Sequence, residues 1–171
     1  MAYLILHKSQ EFENVVFPPP TRSISILPAV SNVNGPLVLF AIITRVKLVS
    51  QIPLRPKMVY MAPMKSLCSE KFREWREKFE TSLHGAVRIL ELTGDSTSAD
   101  VADIRAYNLI LTTPEKWDAL TRRWKDHTGL VRMIKLVMID EVHTLNDSSR
   151  GHTLEAVVTR MKTIAKTIGD R

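Results

Sequence analysis

The sequence predicts an α/β fold with a central, mainly parallel sheet covered by helices on both faces. Three observations carry this. From Leu37 onward, short apolar runs alternate with segments of helical period. The runs are continuously apolar, as strands buried on both faces require, and do not alternate apolar with polar. Each run also ends in polar or charged residues, and in such sheets chemistry gathers at the carboxyl ends of the strands.

The elements follow in order. Residues 1–34 carry scattered apolar residues, the triplet Pro18-Pro19-Pro20, Pro28 and the polar string Ser31-Asn32-Val33-Asn34. Proline removes a backbone donor and biases its predecessor away from helix, so Phe17 to Asn34 reads as irregular and the whole of 1–34 as poorly ordered. Residues 35–171 read as one partial domain without internal repeats. Within it, Lys57 to Met61 is an apolar run between Pro56 and Pro63, suiting a buried strand. Lys65 to Ser82 follows as a helix, with Leu67, Phe72, Trp75 and Phe79 recurring at steps of helical period among charges.

Ala86 to Leu92 forms a second strand, closed by Thr93-Gly94-Asp95, and Ser98 can cap a short helix through Arg105. Tyr107 to Leu111 is the third strand. Thr113-Pro114-Glu115 then starts a helix with a Thr cap, a proline at the first helical position and an acid in the first turn; it is expected to run to about Lys125. Ile134 to Ile139 is the fourth and most apolar strand, ending at Asp140-Glu141, and a last helix spans roughly Gly151 to Ile168.

Composition narrows the class. The 171 residues suffice for one domain with a sizeable core, at 44% hydrophobic and 25% charged. No apolar run approaches the ~20 residues of a membrane span. The opening Met1 to Leu6 is too short for a signal-peptide core, so no secretion and no membrane partner is expected. Cys68 is the lone cysteine and cannot close an internal disulfide, which points to a reducing compartment. Lys plus Arg exceed Asp plus Glu by 24 − 18 = 6, a surplus that favours a polyanionic partner, nucleic acid first.

The strongest motif is Asp140-Glu141-Val142-His143 after a buried run. Two adjacent carboxylates at a strand end must face water or a cation. A nucleoside triphosphatase needs that arrangement, one acid holding hydrated magnesium on the phosphates and the next orienting the attacking water. The dipeptide is also common at strand-to-loop junctions, so it does not decide alone. Thr113 starts a helix whose N–H groups can receive a phosphate oxygen, and Thr93-Gly94 forms a turn that a phosphodiester can approach closely. Lys65 and Lys116 add charge at the same edge. None of these groups reads a base edge, so backbone binding independent of sequence is expected. Trp75 and Trp117 lie at core spacing with Phe79 and Leu120, and packing is expected of them ahead of base stacking. Cys68, on the apolar side of its helix, is expected to be inert, and the histidines show no zinc spacing.

Taken together, these segments resemble superfamily-two DExH-box helicases. Asp140-Glu141-Val142-His143 resembles the DExH box, and Ala62-Pro63-Met64-Lys65-Ser66-Leu67 resembles the first nucleic-acid-gripping motif. Leu92-Thr93-Gly94-Asp95 resembles the next, and Thr112 to Asp118 the third in the form of the Ski-two-like branch. Within that branch the run from Met58 to Lys162 is most similar to the meiotic crossover DNA helicases of the Mer-three/Hfm type. The resemblance implies a RecA-like, three-layer fold of the P-loop NTPase type, present in part. It implies ATP and Mg2+ as cofactors, Mg2+ meeting Asp140 through water. It also implies a nuclear protein that binds nucleic acid, DNA ahead of RNA. Asp140 and Glu141 take the catalytic roles, and His143 couples the nucleotide site to the nucleic-acid face. Nucleic acid falls to Pro63, Lys65, Ser66, Thr93, Gly94, Thr113, Pro114, Glu115 and Lys116.

The sequence departs from the family at the lysine loop. That loop ends in Gly-Lys-Ser/Thr, cradling phosphates with backbone N–H groups, a lysine and a magnesium-binding hydroxyl. Here Gly35 is kept as the one nucleotide-binding candidate, Pro36 stands for the lysine and Leu37 for the hydroxyl residue. Measured against the family, the last motif of the first lobe and the whole second lobe are also missing. Three readings therefore compete: part of an ATP-dependent DNA helicase (a fragment, splice form or imperfect gene model), a nucleic-acid-binding pseudo-helicase without hydrolysis, or a decoy for a helicase partner. An RNA helicase of the same branch is the variant of the first. A longer product of the same locus with Gly-Lys-Thr before Val38 favours the first reading.

Overall fold

In the computed structural model, residues 3–6, 25–27, 57–82, 87–94, 104–147 and 150–169 are described. Among these residues six strands form one sheet: β1 (Tyr3–Leu6), β2 (Ser25–Leu27), β3 (Lys57–Met61), β4 (Ile89–Leu92), β5 (Leu109–Thr112) and β6 (Ile134–Ile139). Their order across the sheet is β2-β1-β6-β3-β5-β4, and every pairing is parallel. The helices are α1 (Lys65–Ser82), α2 (Pro114–Thr121), α3 (Thr128–Met133) and α4 (Gly151–Gly169), with 3-10 turns at Trp124–His127 and Val142–Asn146.

The period of the strands explains why they read as unbroken apolar runs. In β3, Met58 and Tyr60 join one buried cluster while Val59 and Met61 join the other. Strand β5 divides the same way, Leu109 and Leu111 against Ile110, and β6 sets Leu136 against Val137 and Ile139. Successive side chains point to opposite faces, so a strand covered on both sides favours apolar residues at every position. Helix α1 covers one face with Cys68, Trp75 and Phe79. Helices α2 and α4 cover the other with Trp117, Leu154, Val157, Met161 and Ile164. The result is the three-layer parallel α/β arrangement read from the sequence.

The tryptophans behave as core. Trp75 is buried and meets Tyr60 edge-on at 4.9 Å between ring centroids, while Trp117 is sealed at 1% exposure. Among the described residues neither indole N–H meets a hydrogen-bond partner, and both rings sit within the apolar clusters. Lys57 is buried at the opening of β3 and donates to the carbonyls of Arg105 (2.8 Å) and Tyr107 (2.5 Å). It fastens the turn before β5 to the start of β3.

Several boundaries differ from the sequence reading. Strand β4 starts at Ile89, because the Arg88 carbonyl instead accepts from the Asn108 and Leu109 N–H groups. Helix α2 stops at Thr121 and not near Lys125. The Thr121 hydroxyl bonds back to the Trp117 carbonyl at 2.8 Å, and the chain then turns through Trp124–His127 into α3. That turn delivers Leu130 and Val131 to the core. Within the stretch read as irregular, residues 3–6 and 25–27 run as strands: β1 hydrogen-bonds along the otherwise open side of β6, and β2 along β1. Ser98 lies outside the described residues, although Ile104 and Arg105 are helical.

One polar knot ties two helices across the covered face. Asp118 on α2 accepts at Oδ1 from Arg160 of α4 (2.6 Å) and at Oδ2 from Arg122 Nε and Nη2 (2.8 and 2.6 Å). Arg160 also donates to Thr121 Oγ1 at 3.1 Å. Burial by itself would raise the Asp118 carboxyl, but the hydrogen bonds and charges of Arg160 and Arg122 outweigh it and hold the group below the usual carboxylate range. A carboxyl lowered in the folded state contributes fully above its unfolded value and loses that contribution as pH falls through the folded one. Asp118→Asn should therefore cost roughly 2–3 kcal/mol at neutral pH. The difference between variant and wild type should narrow in chemical unfolding series run below about pH 4. A gap that stays constant with pH contradicts the assignment.

Candidate functional site

The register of the sheet assembles the site. Met61 of β3 lies opposite Ile139 of β6 and Thr112 of β5, and Thr112 lies opposite Leu92 of β4. Four strand ends thus fall in one row, and the residues after them leave along a single edge in the order Asp140, Ala62, Thr113, Thr93. Backbone bonds extend the row one step further: the Asp140 N–H donates to the Met61 carbonyl (2.8 Å) and the Ala62 N–H to the Thr112 carbonyl (3.1 Å).

Asp140 is the most constrained acid on this edge. Only 7% of it is exposed. Its Oδ1 accepts the Glu141 N–H at 2.8 Å, and its Oδ2 accepts the Tyr60 hydroxyl in a short hydrogen bond. The pairing follows from strand order, since β3 and β6 are neighbours and Tyr60 stands one residue before the end of β3. Burial, then the Asp140 charge and hydrogen bond, push the Tyr60 hydroxyl far above its ordinary value, so it remains a donor throughout the physiological range.

Glu141 takes the left-handed conformation at φ 51 and ψ 47, the one non-glycine residue with positive φ among those described. Such a conformation costs an L-residue about 1–2 kcal/mol, and strain of this kind collects at functional sites. The Glu141 side chain is part-buried, and its Oε2 stands 3.0 Å from Nδ1 of the exposed His143. Among the described residues no group of three or more His, Cys, Asp or Glu converges to cage a metal directly. A buried carboxylate oriented at both oxygens, with a second acid beside it, instead suits a hard cation reached through water.

Across the rest of the edge, Pro63 is half-buried, while Lys65 and Ser66 are exposed in the first turn of α1. Thr93 is buried and Gly94 exposed. A Cβ on Gly94 would sit 3.3 Å from Lys65 Cε and 3.4 Å from its Nζ, so the lysine ammonium lies over the Gly94 backbone. Thr113 is buried and caps α2, its hydroxyl accepting the Lys116 N–H at 3.4 Å. That cap narrows what the start of α2 can offer an anion. Of its first three positions, Pro114 has no N–H and that of Lys116 meets the Thr113 hydroxyl, which leaves the N–H of Glu115. Lys65, Lys116, the Gly94 backbone and the start of α2 are the polar groups that this edge presents.

Cys68 is buried beneath this edge and donates to the Thr112 carbonyl at 3.3 Å, with burial pushing its thiol up to about 11. The thiol therefore stays protonated at neutral pH. Gly35, Pro36 and Leu37 lie outside the described residues. Sequence reasoning missed Tyr60, although a tyrosine in an otherwise apolar buried run signals a polar partner at the strand's end.

Comparison with known proteins identifies a family and several relatives. The DEAD/DEAH box helicase family matches residues 36–169. The chain is 46% identical over 133 residues to the probable ATP-dependent DNA helicase HFM1 of Mus musculus, covering 77% of this chain and 9% of that protein. It is 37% identical over 158 residues to the ATP-dependent DNA helicase MER3 of Saccharomyces cerevisiae, covering 91% of this chain and 12% of that protein. It is also 37% identical over 115 residues to the DExH-box ATP-dependent RNA helicase DExH13 of Arabidopsis thaliana, covering 67% of this chain and 5% of that one. The chain thus spans about a tenth or less of the length of these relatives.

The left-handed turn yields a direct prediction. Replacing Glu141 by Asn, which tolerates that conformation better, should stabilise the fold by about 1 kcal/mol. For a chain of this size the melting temperature should rise by about 2–4 °C. A fall in melting temperature would mean that contacts of the Glu141 side chain outweigh the backbone strain.

Proposed function

Because the chain belongs to the DEAD/DEAH box helicase family, we propose that it is part of the first motor lobe of an ATP-dependent DNA helicase of the meiotic crossover type, acting in recombination in the nucleus. The observation that carries the proposal is the common edge. An acidic pair leaves β6 beside the loop after β3, in the same row as the turns after β5 and β4. Nucleotide and nucleic-acid functions can then share one rigid sheet.

Asp140 is the carboxylate that would hold Mg2+ through water, held in orientation by the Tyr60 hydroxyl and the Glu141 N–H. Bound Mg2+ with ATP would supply neutralisation of the phosphate charge. Glu141, set by its turn, orients the attacking water, and His143 at its carboxylate relays the state of that site toward the nucleic-acid face. Pro63, Lys65, Ser66, Thr93, Gly94, Thr113, Pro114, Glu115 and Lys116 line the path of a phosphodiester backbone. Contacts of this kind do not separate DNA from RNA. The names of the HFM1 and MER3 relatives support DNA, and that of the DExH13 relative keeps an RNA substrate as the variant to test.

A second reading has one specific observation in its favour. Pro36 and Leu37 follow Gly35 where the family's lysine and hydroxyl residue belong. Losing that lysine charge together with a magnesium ligand removes several kcal/mol of phosphate affinity. On this reading the chain grips nucleic acid without hydrolysing ATP. The two agree for the isolated polypeptide: the purified chain should show no phosphate release stimulated by single-stranded DNA. Robust turnover abolished by Glu141→Gln contradicts that expectation.

Binding of oligo-dT should nevertheless be measurable and weaken steeply with salt, as phosphate contacts require. Lys65→Ala should weaken it about three- to tenfold, and Thr113→Ala comparably through loss of the cap that shapes the turn. Binding that is insensitive to salt, and to both changes, counts against the proposed face. The same titration with oligo-U compares RNA with DNA.

A further inference from the structure

Arg150 is absorbed by none of the motifs, and two constraints fix where it stands. The first is Gly151, which opens α4. Its N–H donates to the Asp147 carbonyl at 2.8 Å, and a Cβ at this position would meet the Leu145 carbonyl oxygen at 2.2 Å. That contact is with backbone, so it cannot be relieved by a side-chain rotation; the helix start is pressed against the 3-10 turn that follows Glu141. The second constraint is the Arg150 carbonyl, which accepts the N–H groups of Thr153 (3.1 Å) and Leu154 (3.3 Å). The backbone of Arg150 is thereby held at the mouth of α4.

From this anchorage the guanidinium reaches a residue 87 positions away in sequence, donating from Nη1 to the Pro63 carbonyl at 3.0 Å. Pro63 begins the loop between β3 and α1. The next carbonyl, that of Met64, already accepts the Cys68 N–H at 3.2 Å as the first bond of α1. Pro63 is therefore the loop carbonyl that an outside donor holds. The bond joins the segment after the acidic pair to the loop that presents Lys65 and Ser66.

We propose that Arg150 is a positioning residue: it clamps the segment 63–66, the end of the loop and the first turn of α1, to the start of α4, so that the phosphodiester-gripping segment and the Asp140–Glu141 segment move as one piece. The inference rests on the nucleic-acid reading of that loop. The geometry favours arginine because its planar fork can point one N–H at a carbonyl while the charge stays in water. Arg150 is itself exposed, so its removal leaves the two buried clusters intact.

The test is Arg150→Ala in the full chain, with two readouts. Hydrogen exchange at the Cys68 amide, the first hydrogen bond behind the clamped loop, should quicken by about tenfold, while the Trp117 amide at the α2 start is unchanged. Affinity for oligo-dT should fall about fivefold, with the slope of log affinity against log salt the same as in the wild type. Unchanged exchange at Cys68 overturns the clamp, whatever binding does. A salt slope reduced by about one overturns positioning in favour of a direct phosphate contact by Arg150. Faster exchange with unaltered affinity overturns the link to nucleic acid. If the wild type itself fails to bind oligo-dT, the nucleic-acid reading of the loop fails, and the positioning role with it, while exchange at Cys68 still reports whether the clamp exists.

Discussion

The structure depends on one constraint: four parallel strands, apolar on both faces, that finish in the same row. A strand sealed between two helical layers accepts an ionised side chain only where backbone or water answers it, as the Arg105 and Tyr107 carbonyls answer Lys57 at the opening of β3. An acidic pair without such partners falls where the strand has ended. Register then decides which charges become neighbours. Because Ile139, Met61, Thr112 and Leu92 are aligned, Asp140, Ala62, Thr113 and Thr93 follow side by side. No long loop is needed to bring them together.

The edge so formed is uneven in its rigidity. At the acidic end, Asp140 is buried and held by a hydroxyl and an amide, and the backbone at Glu141 is forced into a left-handed turn. Strain at that point is tolerable because the surroundings over-determine it: a ladder bond to Met61 before it and a 3-10 turn pressed on Gly151 after it. At the basic end, Lys65 crosses over Gly94 and remains exposed. A rigid acidic site beside an adaptable basic one suits a division between precise phosphate chemistry and tolerant backbone binding.

Much of this was legible in the sequence, for reasons that can be traced to particular residues. Lys57–Met61 and Ile134–Ile139 are unbroken apolar runs with clear stops, and both strands fall where those stops place them. Helix Lys65–Ser82 keeps its period throughout and also falls in place. Helix α2 has no stop signal in sequence before Lys125, whereas in the fold the chain turns after Thr121 to bring Leu130 and Val131 inward. Tyr60 with Asp140, Asp118 with Arg160 and Arg150 with Pro63 could not be read in the same way. Each is a pairing across 42 or more residues that exists only once strand order and helix docking are known.

The central claim is that polyanion and acidic pair share one edge of the sheet, and the opposite edge offers a fair competitor in the exposed Arg88 and Arg105. Mapping amide chemical shifts of the full chain during titration with oligo-dT separates the two most directly. The account predicts perturbations at residues 62–66, 93–94 and 113–116, with Lys57, Arg88 and Arg105 silent. Shifts concentrated at Arg88 and Arg105, with Ala62, Thr93 and Thr113 unmoved, would contradict it.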